Sequence, residues 1–320
     1  MGGFNGAGTL PETIDSVLAQ TERDFEFIIV NDGSTDFRVG GILADYAQQD
    51  TRIRVVTKSN EGLTRALIDG CAVAKGKYIA RIDVGDVMLP ERLARQKAIL
   101  DKHFDVVLAT CWTECCGPEW EHLYTTKEKS DVSSDGAVWV ADGVPARNDA
   151  GDLIEGPSHH GSVMFRADAY RAVGGYREAF YYGQDWDLWY RLADRGKFSG
   201  VQEILYRCRI FPEGISMQNA ERQRQIHEFS RGAFRARRNG EDETPFLERA
   251  ATIRPRGRCG NPVIYSGQNL AAGYYFVGEA LHRNGDRRCR RYFWRALRLM
   301  PFSLKLWLRL VQGLKLTLKR

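Results

Sequence analysis

Phe25-Glu-Phe-Ile-Ile-Val-Asn-Asp-Gly-Ser-Thr-Asp36 is the stretch that decides the fold. Phe25 to Val30 is a short, β-rich apolar run of the kind that forms a buried strand in an α/β sheet, and a polar turn follows at its carboxyl end. The same grammar recurs at Tyr78-Ile-Ala-Arg-Ile82 followed by Asp83-Val-Gly-Asp86. A third acidic segment, Gln184-Asp-Trp-Asp187, opens a helical pattern. Ligands of α/β sheets gather at the carboxyl ends of the strands, so the three segments imply one acidic site suited to a nucleotide diphosphate.

Around these segments the pattern alternates. Pro11 to Gln20 reads as an amphipathic helix with Ile14, Val17 and Leu18 inward, Arg52 to Thr57 as a strand, and Glu61 to Ala74 as a helix. A helix opening at Pro90 runs to about Lys102, its start marked by the proline, and a strand follows at Asp105 to Thr110. Such alternation predicts a mostly parallel sheet. Gly117 to Pro157 reads as loops over the sheet, carrying Trp120, Tyr124 and Trp139 toward an acceptor. Gly161 to Phe165 and Ile204 to Arg209 read as strands, Ala167 to Val173 and Asp185 to Ala193 as helices. A boundary is placed near residue 215, giving an α/β domain over 1–215 and a helical carboxyl-terminal region over 216–320, with a linker at Arg254 to Pro262.

Composition narrows the class. A chain of 320 residues with 43% hydrophobic and 27% charged residues can bury one large core or two modest ones, which argues against disorder. Its seven cysteines are odd in number and lack C-x-x-C spacing, so neither a disulfide framework nor a structural zinc is expected, and a reducing cytoplasm fits. No secretory leader and no apolar run of membrane-spanning length is evident. The net charge of +5 is unevenly placed: Arg287 to Arg320 holds eleven Lys or Arg and no Asp or Glu, leaving 35 basic against 41 acidic residues before it.

Each acidic segment has a plain and a chemical reading. Asn31 to Asp36 serves equally as a turn with a helix cap or as a place where Asp32 accepts from a base or ribose. Asp83 and Asp86 form a solvated turn or a pair of hard oxygen donors for Mg²⁺ or Mn²⁺, with Gly85 admitting a close ligand. Asp185 is a helix-start residue favoured by the dipole, or, in company with the other two segments, a general base.

Together these residues resemble the family 2 glycosyltransferases. The resemblance runs through Leu10 to Thr21, Phe27 to Asp36, Asn60-Glu-Gly62, Ala80 to Asp86, Pro90 to Leu93, Val163 to Arg166, Val173 to Tyr176, Gln184 to Leu192 and Leu205 to Ser216, in order, over about residues 4 to 216. It implies a GT-A fold, a Rossmann-like α/β architecture with a mostly parallel sheet, followed here by the helical region. It also implies transfer with inversion from a nucleotide-diphosphate sugar, with a divalent metal, Mn²⁺ or Mg²⁺. On this resemblance Asp32 contacts the nucleoside, Asp83 and Asp86 sit at ribose and metal, and Asp185 is the base. Arg81, His160 and Arg209 are further candidates for binding the donor, each equally readable as an ordinary ion pair or loop residue.

Four departures stand out. The chain opens at Met1-Gly-Gly-Phe-Asn-Gly6, where the family pattern has an apolar first strand, so that strand is expected to be missing. Gly85 occupies a position where an acid is usual, Gln184 stands for Glu, and Phe211 stands where a His often follows. The missing strand and Gly85 motivate an alternative: a catalytically silent relative that binds a nucleotide sugar or a protein partner. Ala271 to Pro301 resembles a single tetratricopeptide-type helical hairpin, which alone cannot define an array. Leu304 to Leu318 reads as a basic amphipathic helix, either packed on the rest of the chain or lying on a membrane surface. The function expected is therefore synthesis of a surface polysaccharide or glycolipid, with a saccharide or lipid-linked acceptor, in the cytoplasm or peripheral on the inner face of the cell membrane. No nucleic-acid partner is expected.

Overall fold

A computed structural model of the chain describes residues 1–127, 131–132, 137–139, 157, 159–255 and 267–315. The chain divides into two compact units, one of Met1–Thr113, Thr126–Arg207 and Arg224–Asn261, the other of Glu114–Thr125, Cys208–Gln223 and Pro262–Arg320. The division differs from the expected boundary near 215.

The amino-terminal part runs β1 (Gly2–Gly3), α1 (Leu10–Leu18), β2 (Phe27–Asp32), α2 (Phe37–Gln49), β3 (Ile53–Lys58), α3 (Leu63–Ala72), β4 (Tyr78–Ala80), β5 (Val87–Met88) and α4 (Arg92–Lys102). Then come β6 (Val106–Cys116), β7 (His122–Thr126), β8 (Asp131–Val132), β9 (Ala137–Trp139), β10 (Met164–Arg166), α5 (Ala167–Ala172), α6 (Gln184–Ala193) and β11 (Lys197–Arg209). Helices α7 (Ile215–Gln218), α8 (Ala220–Asn239), α9 (Thr244–Thr252), α10 (Gly267–Arg283), α11 (Cys289–Leu299) and α12 (Leu304–Lys315) complete the chain.

The first sheet, β1-β2-β3, is parallel, with Gly2 opposite Val30 and Phe27 opposite Ile53. The first strand, expected to be missing, is thus present over two residues, and Val30 N–H donates to the Met1 carbonyl at 2.9 Å beside it. The second sheet has the order β4-β10-β6-β11-β9-β8, with β5 on β11 and β7 on β6. Its described registers are antiparallel: β10 opposes both β4 and β6, and β11 opposes both β5 and β9. The expected parallel sheet is β1-β2-β3, and the second sheet adds antiparallel pairs to it. Strands β4 and β6, joined through α4, do run the same way, but β10 enters between them in the opposite sense.

Helix α2 was not read from the sequence because Gly40 and Gly41 lower helix propensity over its first turns. What starts it is Asp36, whose Oδ1 accepts from Arg38 N–H at 3.1 Å, and what holds it is the burial of Val39 and Leu43. Most of α8 and all of α9 belong to the first unit. Phe234 stacks on Tyr190 with ring centres 4.7 Å apart, and Ile226 and Ala250 are buried with Phe180 and Tyr182. In the second unit α10, α11 and α12 share a core of Val277, Leu281, Cys289, Tyr292 and Phe293, with Leu310 packed against it. The expected loop stretch contains β7, β8 and β9; residues 128–130, 133–136, 140–156 and 158, and most of the expected linker at 256–266, lie outside the described residues.

Candidate active site

Asp32 closes β2 and is buried. Its carboxylate is already engaged: Oδ1 accepts from Glu61 N–H at 3.0 Å, and Oδ2 from Gly62 N–H at 2.8 Å and from Asn60 Nδ2 at 3.1 Å. Burial raises its pKa, and the two backbone N–H groups oppose the rise. Asp32 therefore folds the Asn60–Gly62 segment across the strand end. Gly33 allows it, with φ of +68° and an approach so close that an added Cβ would lie 2.5 Å from Asn60 N. From the other side Asn5 Oδ1 accepts the N–H groups of Thr35 at 2.9 Å and Asp36 at 3.0 Å.

The second segment leaves β4 through Arg81, whose N–H donates to the Val163 carbonyl at 2.9 Å. The Arg81 side chain is buried, and its Nη2 donates to Asp83 Oδ1 at 2.6 Å. Burial would raise the Asp83 pKa, but the Arg81 guanidinium outweighs it and brings it down to about 2. Asp83 keeps 31% side-chain exposure, and no bond to Oδ2 is found among the described residues. Asp86 differs. It is 5% exposed, and its Oδ2 accepts from the Tyr206 hydroxyl at 2.7 Å. Thr13 pins this turn, donating to the Asp86 carbonyl and accepting from Gly85 N–H, both at 2.9 Å.

His160 stands beside Arg81. Arg81 Nε reaches His160 Nε2 at 3.4 Å, and since a guanidinium only donates, Nε2 carries no proton and accepts the Tyr176 hydroxyl at 2.7 Å. Burial first and Arg81 second hold the His160 pKa well below its ordinary value, so the ring is neutral. Neighbouring His159 is pushed by burial down to about 4, and its Nδ1 accepts from Gly161 N–H at 3.1 Å.

Asp185 lies in the first turn of α6, half-buried, with Oδ1 accepting from Trp186 N–H at 3.0 Å. Burial, reinforced by the Asp83 charge and countered by Arg81, pushes its pKa up to about 6. A carboxylate tuned this way accepts a proton near neutral pH far better than an ordinary one. Asp187, by contrast, is locked by Arg191 at 2.5 Å and by Arg177 at 3.6 Å. Arg81, Asp83, Asp86, His160 and Asp185 thus belong to one electrostatic neighbourhood, while Asp32 makes its described contacts with the Asn60–Gly62 segment. Arg209 is in the second unit, its guanidinium 3.8 Å from the Trp120 ring centre.

Three participants had no role assigned from the sequence. Tyr206 bonds Asp86 and accepts from Asp83 N–H at 3.3 Å, Tyr176 bonds His160, and Arg92 is fully buried. Arg92 donates to the carbonyls of Arg81 at 2.8 Å and Val163 at 3.0 Å, a strut beneath the Asp83 turn. The only sequence cue was their place inside the motif segments. Trp189, packed edge-on to His160, has an indole N–H with no partner among the described residues.

A divalent ion fits this site in a limited way. Among the described residues no three His, Cys, Asp or Glu side chains are grouped to hold a metal by themselves. Asp83 nevertheless offers a charged, accessible carboxylate, and Mg²⁺-like ions commonly take one or two carboxylates and complete their shell with substrate phosphates.

A parallel sheet whose strand ends carry acidic turns, joined to an antiparallel extension, is the architecture of GT-A nucleotide-sugar transferases. The chain belongs to glycosyl transferase family 2, whose model matches residues 3–174. EpsE of Bacillus subtilis, which carries a glycosyltransferase name, is 33% identical over 215 residues, 65% of this chain and 71% of that protein. Chondroitin synthase of Pasteurella multocida is 28% identical over 227 residues, 70% of this chain but only 22% of the synthase. The mannosyltransferase PcManGT of Pyrobaculum calidifontis, solved with GDP-Man and Mn²⁺, superimposes with a TM-score of 0.52 at 14% identity, covering 99% of this chain and 83% of that one. Among the described residues no helix is long and apolar enough to cross a membrane.

Proposed function

We propose that this chain is an inverting glycosyltransferase that moves a sugar from a nucleoside-diphosphate sugar to a hydroxyl of a saccharide or lipid-linked acceptor, in the synthesis of a surface polysaccharide or glycolipid. The observation that carries the proposal is Asp185, a half-buried carboxyl with its pKa pushed up to about 6, within electrostatic reach of Asp83 and Arg81. The Asp185 carboxylate takes the proton of the acceptor hydroxyl. The acceptor oxygen bonds to the anomeric carbon as that carbon's bond to the β-phosphate oxygen breaks, and the electron pair leaves with the nucleoside diphosphate. Asp83 would hold Mn²⁺ or Mg²⁺, which would supply neutralisation of the charge on the leaving nucleoside diphosphate. Asp32 shapes the nucleoside end through the Asn60–Gly62 segment, and His160 and Arg81 fix Asp83. Arg209 is retained as a donor-binding candidate by resemblance alone, and contact with the inner membrane face through 304–320 completes the proposal.

The test is release of nucleoside diphosphate by the purified chain with Mn²⁺ and a panel of uridine, guanosine and thymidine diphosphate sugars. Metal-dependent release with one donor, lost in Asp185→Asn, is the expected result. A chain that binds a donor in thermal shift yet releases nothing with any acceptor mixture would instead be the silent relative that Gly85 suggested.

A further inference from the structure

The second unit carries a surface the transfer reaction does not use. Arg287, Arg288, Arg290, Arg291 and Trp294, at the start of α11, face Leu310 and Leu314 of α12 across a cleft of about 450 Å³. Arg288 is bonded to Asp286 at 2.6 Å and Arg291 to Glu119 at 2.5 Å, yet both side chains stay nearly half exposed. Arg291 also lies 3.8 Å from Glu121, so the four guanidinium groups of the cleft stand against the three carboxylates of Asp286, Glu119 and Glu121, and the balance stays cationic.

Helix α12 has two apolar faces. Leu306 is buried, with Leu310 packed beside it. Leu304, Trp307, Leu308, Val311 and Leu314 lie on the stripe beside it at helical spacing, and every one of them is exposed. Trp307 is held on that stripe by its indole N–H, which donates to the Pro301 carbonyl at 2.9 Å. An exposed apolar stripe of this kind marks an interaction surface, and Leu314 makes it continuous with the arginine cleft.

We propose that α11 and α12 dock on an anionic phospholipid surface, with headgroup phosphates in the Arg287–Arg291 cleft and the Leu304–Leu314 stripe in the interfacial layer. Charge selects this occupant: eleven basic residues and no acidic one from Arg287 to Arg320 suit an anionic bilayer, which attracts clustered arginines while an apolar helix face enters beside them. The proposal deepens the membrane-face reading given above and does not depend on the transfer step.

The test is co-sedimentation of the full chain with vesicles of phosphatidylcholine alone or with phosphatidylglycerol added. The native chain binds anionic vesicles at least about tenfold better than neutral ones, and inorganic phosphate does not displace it. Arg287→Glu with Arg290→Glu, and separately Trp307→Ser with Leu308→Ser, each lower that binding about tenfold or more while unfolding and nucleotide release stay native. Equal binding to neutral vesicles, or anionic binding untouched by the arginine pair, overturns the proposal. So does full displacement by inorganic phosphate, which would make the cleft a small-anion site, or a chain that ignores vesicles but forms a dimer broken by the Trp307 and Leu308 changes. Loss of nucleotide release with vesicle binding intact would count against the enzyme reading alone.

Discussion

Arg81 Nη2 and Asp83 Oδ1 are 2.6 Å apart at the end of a line of hydrogen bonds that begins at the Tyr176 hydroxyl and passes through His160. The bond decides the state of the carboxylate, since burial pushes its pKa up and the guanidinium brings it down to about 2. The depressed value stabilises the fold above the ordinary carboxylate pKa near 3.8, and the contribution fades as pH falls through about 2. Arg81→Met should therefore cost about 1–3 kcal/mol at pH 7, below the cost of breaking a fully buried pair because Asp83 is partly solvated. Urea unfolding at pH 7 and pH 3 checks this; an equal loss at both would show that packing, not charge, is what the variant removed.

Asp185 should show the opposite sign. Its raised pKa means that ionisation costs folding energy above pH 6, a cost absent once both states are protonated below about 3.8. Asp185→Asn is expected to unfold later than native by about 1–2 kcal/mol at pH 7 and by nothing at pH 3.5. Transfer should fall about 100-fold or more, the usual contribution of a general base. In the native chain kcat/KM should rise with pH through an apparent pKa of about 6. A flat profile between pH 5 and 7, with chemistry limiting, would remove the base role.

Asp83 and Asp86 should separate under the same substitution. Asp83→Asn is expected to raise the Mn²⁺ concentration needed for half-maximal release about tenfold or more, and also to cost about 1–3 kcal/mol because the buried Arg81 guanidinium loses its charged partner. Asp86→Asn should leave the Mn²⁺ requirement nearly unchanged and cost about 1–3 kcal/mol, because the buried Tyr206 hydroxyl loses a charged acceptor. If both variants shift the metal requirement alike, the two carboxylates share the ion and Asp86 is not confined to its bond with Tyr206.

Local signals carried much of this far. The strand at Phe27–Asp32 and the helix at Gln184–Ala193 were legible because each pairs an apolar period with a polar boundary residue. The insertion of β10 between β4 and β6 was not, because nothing in Met164–Arg166 names its neighbours; pairing is settled by sheet closure, with Met164 opposite both Ala80 and Ala109. At the site, the carboxylates announced themselves as residue types, but their different states did not. Asp83 and Asp86 look equivalent as letters. One is charged by a neighbour two residues away and the other is occupied by Tyr206, 120 positions along the chain. The exposed stripe on α12 was readable as amphipathy, whereas the arginine cleft needed α11 beside it.

The Tyr206 hydroxyl offers one more test, of how tightly the Asp83–Asp86 turn is backed. A Cβ at position 161 would sit 2.0 Å from that hydroxyl and 2.5 Å from the ring carbon bearing it, and Tyr206 is fully buried on β11 with Arg92 stacked 4.8 Å from its ring centre. There is no slack on either side, so Gly161→Ala should cost about 1–3 kcal/mol through overpacking. Tyr206→Phe removes the atom nearest the new methyl but leaves the ring carbon. The double variant Gly161→Ala with Tyr206→Phe should then cost less than the sum of its parts by about 0.5 kcal/mol or more, as expected for residues in direct contact. Guanidinium unfolding of the four proteins measures the difference. Strict additivity would mean that residue 161 does not press on Tyr206, and that the turn holding Asp83 has room to shift when a donor enters.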